Sequence, residues 1–359
     1  MTEGSTSTSS STLPDDFAQD AEERQEAHDQ QRRVELDQVR RKGITRALSA
    51  YENLGNHDVL SIRIRAGFIR TSDPRRTSEA VEPYTLGSEV RSRPPMTKLV
   101  DRRRHSLRLL LTAFFVARLT TEPGKKFVNN RPNTPSSGDA SWMTLAGLHL
   151  NVPATKTRDR RRKFNTAIDA LDRHNLVALV GEAGVAGRYR GFSLLSEDGS
   201  GTDYRVPGDE LPSREAISVP ADFFRQGWHL VLTDQEIVTY LAIIDRTGHL
   251  RMATRTDSDR DVGVDLKREV RYGTYGISDE AYSSVHQLHR FGLIELRDPM
   301  PNRRNPGRHY PPLPWDENAV VPETAEVPPE RLPYRLIYRP DTAAVYQNAL
   351  ERVLDVLAT

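Results

Sequence analysis

The sequence predicts a mainly α protein with small β-hairpins, of the α+β class, built as two similar units in tandem behind a disordered N-terminus. Three observations lead to that expectation. Apolar residues recur at helical spacing in several separate segments. A pair of short β-prone runs joined by a glycine-rich tip follows the last helical segment of the first unit, and a β-prone run with a basic turn follows that of the second. The phrase Leu171-Asp172-Arg173-His174-Asn175-Leu176-Val177 returns as Leu288-His289-Arg290-Phe291-Gly292-Leu293-Ile294, at the same place in each unit.

A length of 359 residues suits two or three units. Residues 1–16 are dominated by Ser, Thr, Gly and Pro and are expected to be disordered. Residues 17–97 begin with a helix to about Tyr51, rich in Glu, Gln, Ala and Arg but sparse in apolar positions, so a solvated helix is expected, with a coiled-coil dimerisation arm as the alternative. The β-prone Val59 to Ile64 and the prolines that follow read as an irregular linker.

The first unit spans 98–198. Leu107, Leu110, Leu111 and Phe114 mark its first helix, with Arg102, Arg103 and Arg104 at the start. A polar loop, 120–140, leads to Trp142, Leu145 and Leu148 on one face of a short helix, which Leu150 to Pro153 closes as a turn. Phe164, Ala167, Ile168 and Leu171 then stripe a helix over about 155–175. The runs 176–180 and 189–195 flank a glycine-rich tip.

A Gly/Ser/Asp-rich stretch, 199–214, reads as a linker between domains. The second unit spans 215–312. It opens on a strand at Ile217 to Pro220 and an apolar cluster of Phe223, Phe224 and Trp228. Thr233-Asp234-Gln235-Glu236 has capping-box spacing, followed by the stripe Ile237, Tyr240, Leu241 and Ile244. Val264 to Arg271 is expected as a short helix, and Ser278 opens another whose buried side is Ala281, Val285 and Leu288. Leu293 to Leu296 reads as a strand before a long basic loop. Residues 313–333 form a proline-rich linker, and 334–359 a short strand and an amphipathic helix expected to dock on the chain's own core, with a second chain as the alternative.

Formal net charge is only +1, so any anionic partner must be argued from local clustering. Such a cluster exists. Lys156, Arg158, Arg160, Arg161, Arg162 and Lys163 crowd the start of the 155–175 helix, where only Asp159 offsets them. There is no cysteine, which excludes disulfides, thiolate metal sites and cysteine nucleophiles and fits a reducing cytoplasm. No apolar run approaches the roughly 20 residues a membrane span needs, and the N-terminus lacks the pattern of a secretory signal. Nucleotide-loop, paired-carboxylate and nucleophile patterns are missing, and His286 with His289 lacks further ligands for a metal. No enzyme activity, metal or cofactor is expected.

The order helix, turn, basic helix, hairpin over Trp142 to Asp198 resembles the winged helix-turn-helix family, and its repetition resembles tandem winged-helix proteins such as plasmid theta-replication initiators, or winged-helix transcriptional regulators. The resemblance implies double-stranded DNA as the partner, with the second helix of the motif in the major groove and the wing along the backbone. It would give Thr155 the entry of that helix. Arg158, Arg162, Asn165 and Thr166 would face base edges, and Lys156, Arg160, Arg161, Lys163, Arg188 and Arg190 would hold phosphates. In the second unit Asp279 and Glu280 would repel phosphates, so contact there is expected from Lys267, Arg268 and Arg271 and from Arg303, Arg304 and Arg308 of the wing. A regulator of a chromosomal operon, a homodimerising second unit, a protein-interaction scaffold without DNA contact and a DNA-processing subunit are the alternatives.

Overall fold

A computed structural model describes residues 13–71, 93–100, 105–135, 140–148, 154–181, 184–253, 263–299 and 333–359. The chain opens with α1 (Leu13–Val34), which passes through one π-helical stretch (Glu35–Arg40) into α2 (Arg41–Glu52). Strand β1 (Ser61–Arg65) runs directly into α3 (Ala66–Ile69), and α4 (Pro95–Lys98) is a single turn.

Helix α5 (Ser106–Thr120) is apolar on nearly every side, which is the mark of a helix surrounded by protein. Its adjacent Phe114 and Phe115 explain how. Phe114 stacks on Tyr204 at 5.4 Å and meets Phe68 edge-on at 5.6 Å, while Phe115 stacks on Phe224 at 5.1 Å and meets Tyr51 edge-on at 5.2 Å. One helix thus draws the N-terminal region, the first unit and the second into a single hydrophobic core.

After α5 come α6 (Trp142–Leu145), capped by the Ser141 hydroxyl, and α7 (Ala154–Arg173), whose Phe164, Ala167, Ile168 and Leu171 are buried as the stripe predicts. The turn expected at Leu150 to Pro153 lies outside the described residues. Strands β2 (Val177–Leu179) and β3 (Phe192–Leu194) form an antiparallel hairpin with Val177 opposite Leu194.

Strand β4 (Ala216–Pro220) leads into α8 (Ala221–Arg225) and α9 (Trp228–Val231). Helix α10 (Asp234–Ala253) starts on the expected capping box: the Glu236 carboxylate accepts from Thr233 N at 2.8 Å and the Thr233 hydroxyl from Glu236 N at 3.2 Å. Helix α11 (Arg268–Val270) continues as a π-turn through Tyr275, so the helix expected from Val264 starts later, and Val264 instead bridges Leu336. Helices α12 (Asp279–Ser283) and α13 (Val285–Arg290), with Ala281, Val285 and Leu288 buried, precede β5 (Glu295–Arg297). Its antiparallel partner β6 (Arg335–Ile337) lies beyond the expected end of the second unit at 312. Helix α14 (Ala349–Val356) docks in cis through Ala349, Leu350 and Val353, although Tyr346 before it faces solvent.

The sequence echo has a structural counterpart. Asn175 (φ 54°) and Gly292 (φ 81°) both adopt left-handed backbone. In each case the next residue's N–H reaches back five positions, Leu176 to Leu171 O and Leu293 to Leu288 O, both at 3.0 Å. The same helix stop therefore turns α7 into β2 and α13 into β5.

Two expectations about the N-terminal region also change. The segment read as an irregular linker contains β1, which pairs antiparallel with β4, Ile62 opposite Val219 and Ile64 opposite Ile217, all four buried. Helix α1 begins at Leu13, inside the tail expected to be disordered to residue 16, and residues 1–12 lie outside those described.

Candidate nucleic-acid interface

Helix α7 is anchored by its apolar stripe against α5, which leaves its basic side free to face outward. Arg158, Arg161, Arg162 and Lys163 are exposed, and Arg160, Asn165 and Thr166 are half-buried. The side chains of Thr155 and Lys156 lie outside the described residues. None of the side chains of Arg158, Arg160, Arg161, Arg162 and Lys163 takes part in an ion pair among the described residues. This separates them from many other arginines. Arg65 is tied to Glu197, Arg70 to Asp245, Arg118 to Asp209 and Arg335 to Asp265.

The hairpin beside α7 is held by polar groups of the preceding loop. Asn129 Nδ2 donates to Phe192 O at 2.7 Å, Asn133 Nδ2 to Tyr189 O at 2.8 Å, and the Trp142 indole N–H to Asn129 Oδ1 at 2.9 Å. These asparagines were legible only as loop residues, because nothing in their spacing names a strand far along the chain as their partner.

The hairpin arginines divide. Arg188 folds back, donating to Gly181 O at 2.9 Å, Asp172 Oδ2 at 2.9 Å and Asp169 Oδ1 at 3.4 Å, while the Tyr189 hydroxyl donates to Asp169 Oδ2 at 2.7 Å. Its guanidinium is spent on the C-terminal half of α7 and secures the hairpin there. Arg190 is exposed, with no carboxylate partner among the described residues.

In the second unit Lys267 and Arg268 are exposed, Arg268 lying over the Tyr272 ring at 5.6 Å. Arg271 is buried. It bonds Asp279 Oδ1 at 2.8 Å and sits 4.2 Å from the Tyr282 ring centroid, so it braces the start of α12 rather than facing solvent. The Tyr272 hydroxyl, which donates to Asp279 Oδ2 at 2.8 Å, and then Arg271 hold the Asp279 carboxyl below its ordinary range. Arg303, Arg304 and Arg308 lie outside the described residues.

The outer side of α13 is already covered. Asp29 of α1 accepts from Arg290 at 2.6 Å and from Gln287 Nε2 at 3.5 Å, and Arg290 also donates to Val356 O at 3.2 Å. Beside this contact, Arg32 reaches Glu236 through two bonds of 2.6 and 2.8 Å.

Among the described residues no cluster of His, Asp and Glu has the arrangement of a metal site, and no helix is long and apolar enough to cross a membrane. The chain matches no protein-family model, no curated protein and no solved structure.

Proposed function

We propose that the protein binds double-stranded DNA sequence-specifically, with α7 as the recognition helix of a winged-helix unit and the β2–β3 hairpin as its wing. The observation that carries this reading is the row Arg158, Arg161, Arg162 and Lys163, exposed on one helix and without ion-pair partners among the described residues. In a chain of net charge +1 whose arginines are so often paired, an unneutralised row is a surface for an anion. The order of α5, α6, α7, β2 and β3 supports a winged helix. The order of α10, α11, α12–α13, β5 and β6, with the shared helix stop, supports a second one in tandem.

That architecture favours a replication initiator of a mobile element. The cover that α1 places over α13 favours a second reading, a transcriptional regulator that reads DNA through one helix only. Iterated binding sites beside the gene distinguish the first, and a single operator at a divergent promoter the second.

The test is titration of the purified protein with the duplex upstream of its own gene at several salt concentrations, beside the variant R158A/R161A/R162A. Binding by the wild type is expected to weaken steeply with salt, and the variant to bind more weakly because it loses the base-edge contacts of Arg158 and Arg162, with a log–log salt slope reduced by about 1 for the phosphate contact of Arg161. A wild type insensitive to salt, or a variant that binds equally well, overturns the assignment.

A further inference from the structure

Behind the basic row lies a half-enclosed cavity of ≈ 810 Å³, walled by the end of α1, the π-helical stretch Glu35–Arg40, the start of α5, the end of α6, the first half of α7 and the α9–α10 junction. Its floor is apolar, with Leu36, Ile44 and Leu230 among the buried residues. Its walls bring together Arg40, Arg108, Arg160 and Lys163 from three different elements, joined by Arg32, against the carboxylates Glu35, Asp234 and Glu280.

Arg32 is satisfied by Glu236, and Arg108 stands 3.8 Å from Asp234. Arg40, Arg160 and Lys163 have no carboxylate within ion-pair distance among the described residues, and Arg40 meets only the carbonyl of Leu230. The surplus charge is felt inside the site. Burial and then Arg108 draw Arg40 below the ordinary arginine range, and burial followed by Arg108, Arg40 and Lys163 draws His105 down.

We propose that this cavity binds a small phosphate-bearing molecule of nucleotide size, its phosphates among Arg40, Arg160 and Lys163 and its organic body on the Leu36, Ile44 and Leu230 floor. The volume falls within the roughly 300–1,000 Å³ of small-ligand sites, and an apolar floor with a few converging charges is their usual chemistry. Guanidinium groups suit phosphate oxygens through paired N–H donors. Arg158 and Arg161 of the proposed DNA interface do not line the cavity, so they separate the two sites, whereas Arg160 and Lys163 belong to both.

The test is calorimetric titration of the full chain, at fixed ionic strength and without DNA, with ADP, inorganic pyrophosphate and adenosine. ADP is expected to bind saturably at one site, pyrophosphate more weakly because it lacks the organic body, and adenosine not measurably. R160Q/K163Q is expected to weaken ADP about tenfold or more with its thermal midpoint unchanged, whereas R158Q/R161Q leaves ADP affinity as in the wild type. Non-saturating ADP, adenosine binding as well as ADP, or equal weakening by R158Q/R161Q overturns the site. A short duplex titrated into the same two variants reports the DNA reading separately: both variants should weaken the duplex, because Arg160 and Lys163 are also phosphate contacts in that reading, whereas only R160Q/K163Q should weaken ADP.

Discussion

Tyr51 and His229 show how single residues set the pH range of the fold. The Tyr51 hydroxyl donates to Leu145 O, so its contact with His229 Nε2 at 3.1 Å is one in which the imidazole N–H donates and the tyrosine oxygen accepts. Both side chains are buried among Phe115, Phe223 and Phe224. Burial pushes the His229 pKa down to about 3. Above about 6.5 the ring is neutral whether the chain is folded or not, and it costs nothing. As pH falls from 6.5 towards 3 the unfolded chain takes up a proton that the folded one refuses, and stability declines by at most about 1.4 kcal/mol per pH unit from this group. Urea midpoints measured from pH 7 to pH 4 should fall in the wild type and fall less in His229→Phe, which keeps a ring in the aromatic cluster and removes the proton site. Parallel decline in the two proteins would remove His229 from the account. Arginines teach the complementary lesson. Arg188 and Arg271 look like phosphate contacts in a sequence because isolated arginine is usually exposed, yet Asp172 and Asp169 engage one, and Asp279 and the Tyr282 ring the other. An arginine's partner is fixed by the fold, and the neighbouring letters do not name it.

Among the elements, α7 and α10 were fully legible, because each buries a stripe at period 3.6 and α10 also carries its own start signal. Helix α1 was legible as a helix but its role was not. Sparse apolar residues suggested a solvated arm, whereas α1 is fixed through ionic groups: Asp29 to Arg290, Arg32 to Glu236, and Arg32 over the Phe291 ring at 5.1 Å. Such pairing lies more than two hundred positions away in sequence, beyond any periodicity argument. Since Arg32 and Glu236 are both buried, Arg32→Ala would strand a buried carboxylate that keeps, among the described residues, only the Thr233 N–H as its other donor. Breaking a buried pair in this way typically costs on the order of 3 kcal/mol. The expected result is a lower urea midpoint, together with faster proteolysis within α1, the element the pair holds down. A loss below about 1 kcal/mol would assign the docking of α1 to its other contacts.

At the scale of the whole molecule, the two units do not divide where the composition suggested. Residues 199–214 have the glycine, serine and aspartate content of a linker, yet Tyr204 and Val206 are buried, Asp203 bridges Leu195, and Arg205 bridges Lys126. Farther out, β1 from before the first unit pairs with β4 from the second, and Arg65 on β1 reaches the buried Glu197 at 2.7 Å. Helix α14 closes against the start of the second unit, with Ala349 N bonded to Gln226 O at 3.0 Å and Glu351 paired to Arg41 at 2.6 Å. Strand pairing across this distance leaves no local trace, since β1 has the same alternation as any half-buried strand and its partner is undetermined by it. The physical consequence is cooperativity. Independent domains would melt in separate steps, but a core shared through α5 and a sheet that joins the N-terminal region to the second unit should melt in one. Urea unfolding followed by far-UV circular dichroism and by tryptophan fluorescence should give coincident transitions, with a slope proportional to the surface of the entire chain. Fragments 1–198 and 215–359, expressed separately, should each lack a cooperative transition, because β1 loses β4 and α5 loses Phe224. Two resolved transitions in the intact chain, or a fragment that unfolds cooperatively alone, would show that the shared core does not couple the units.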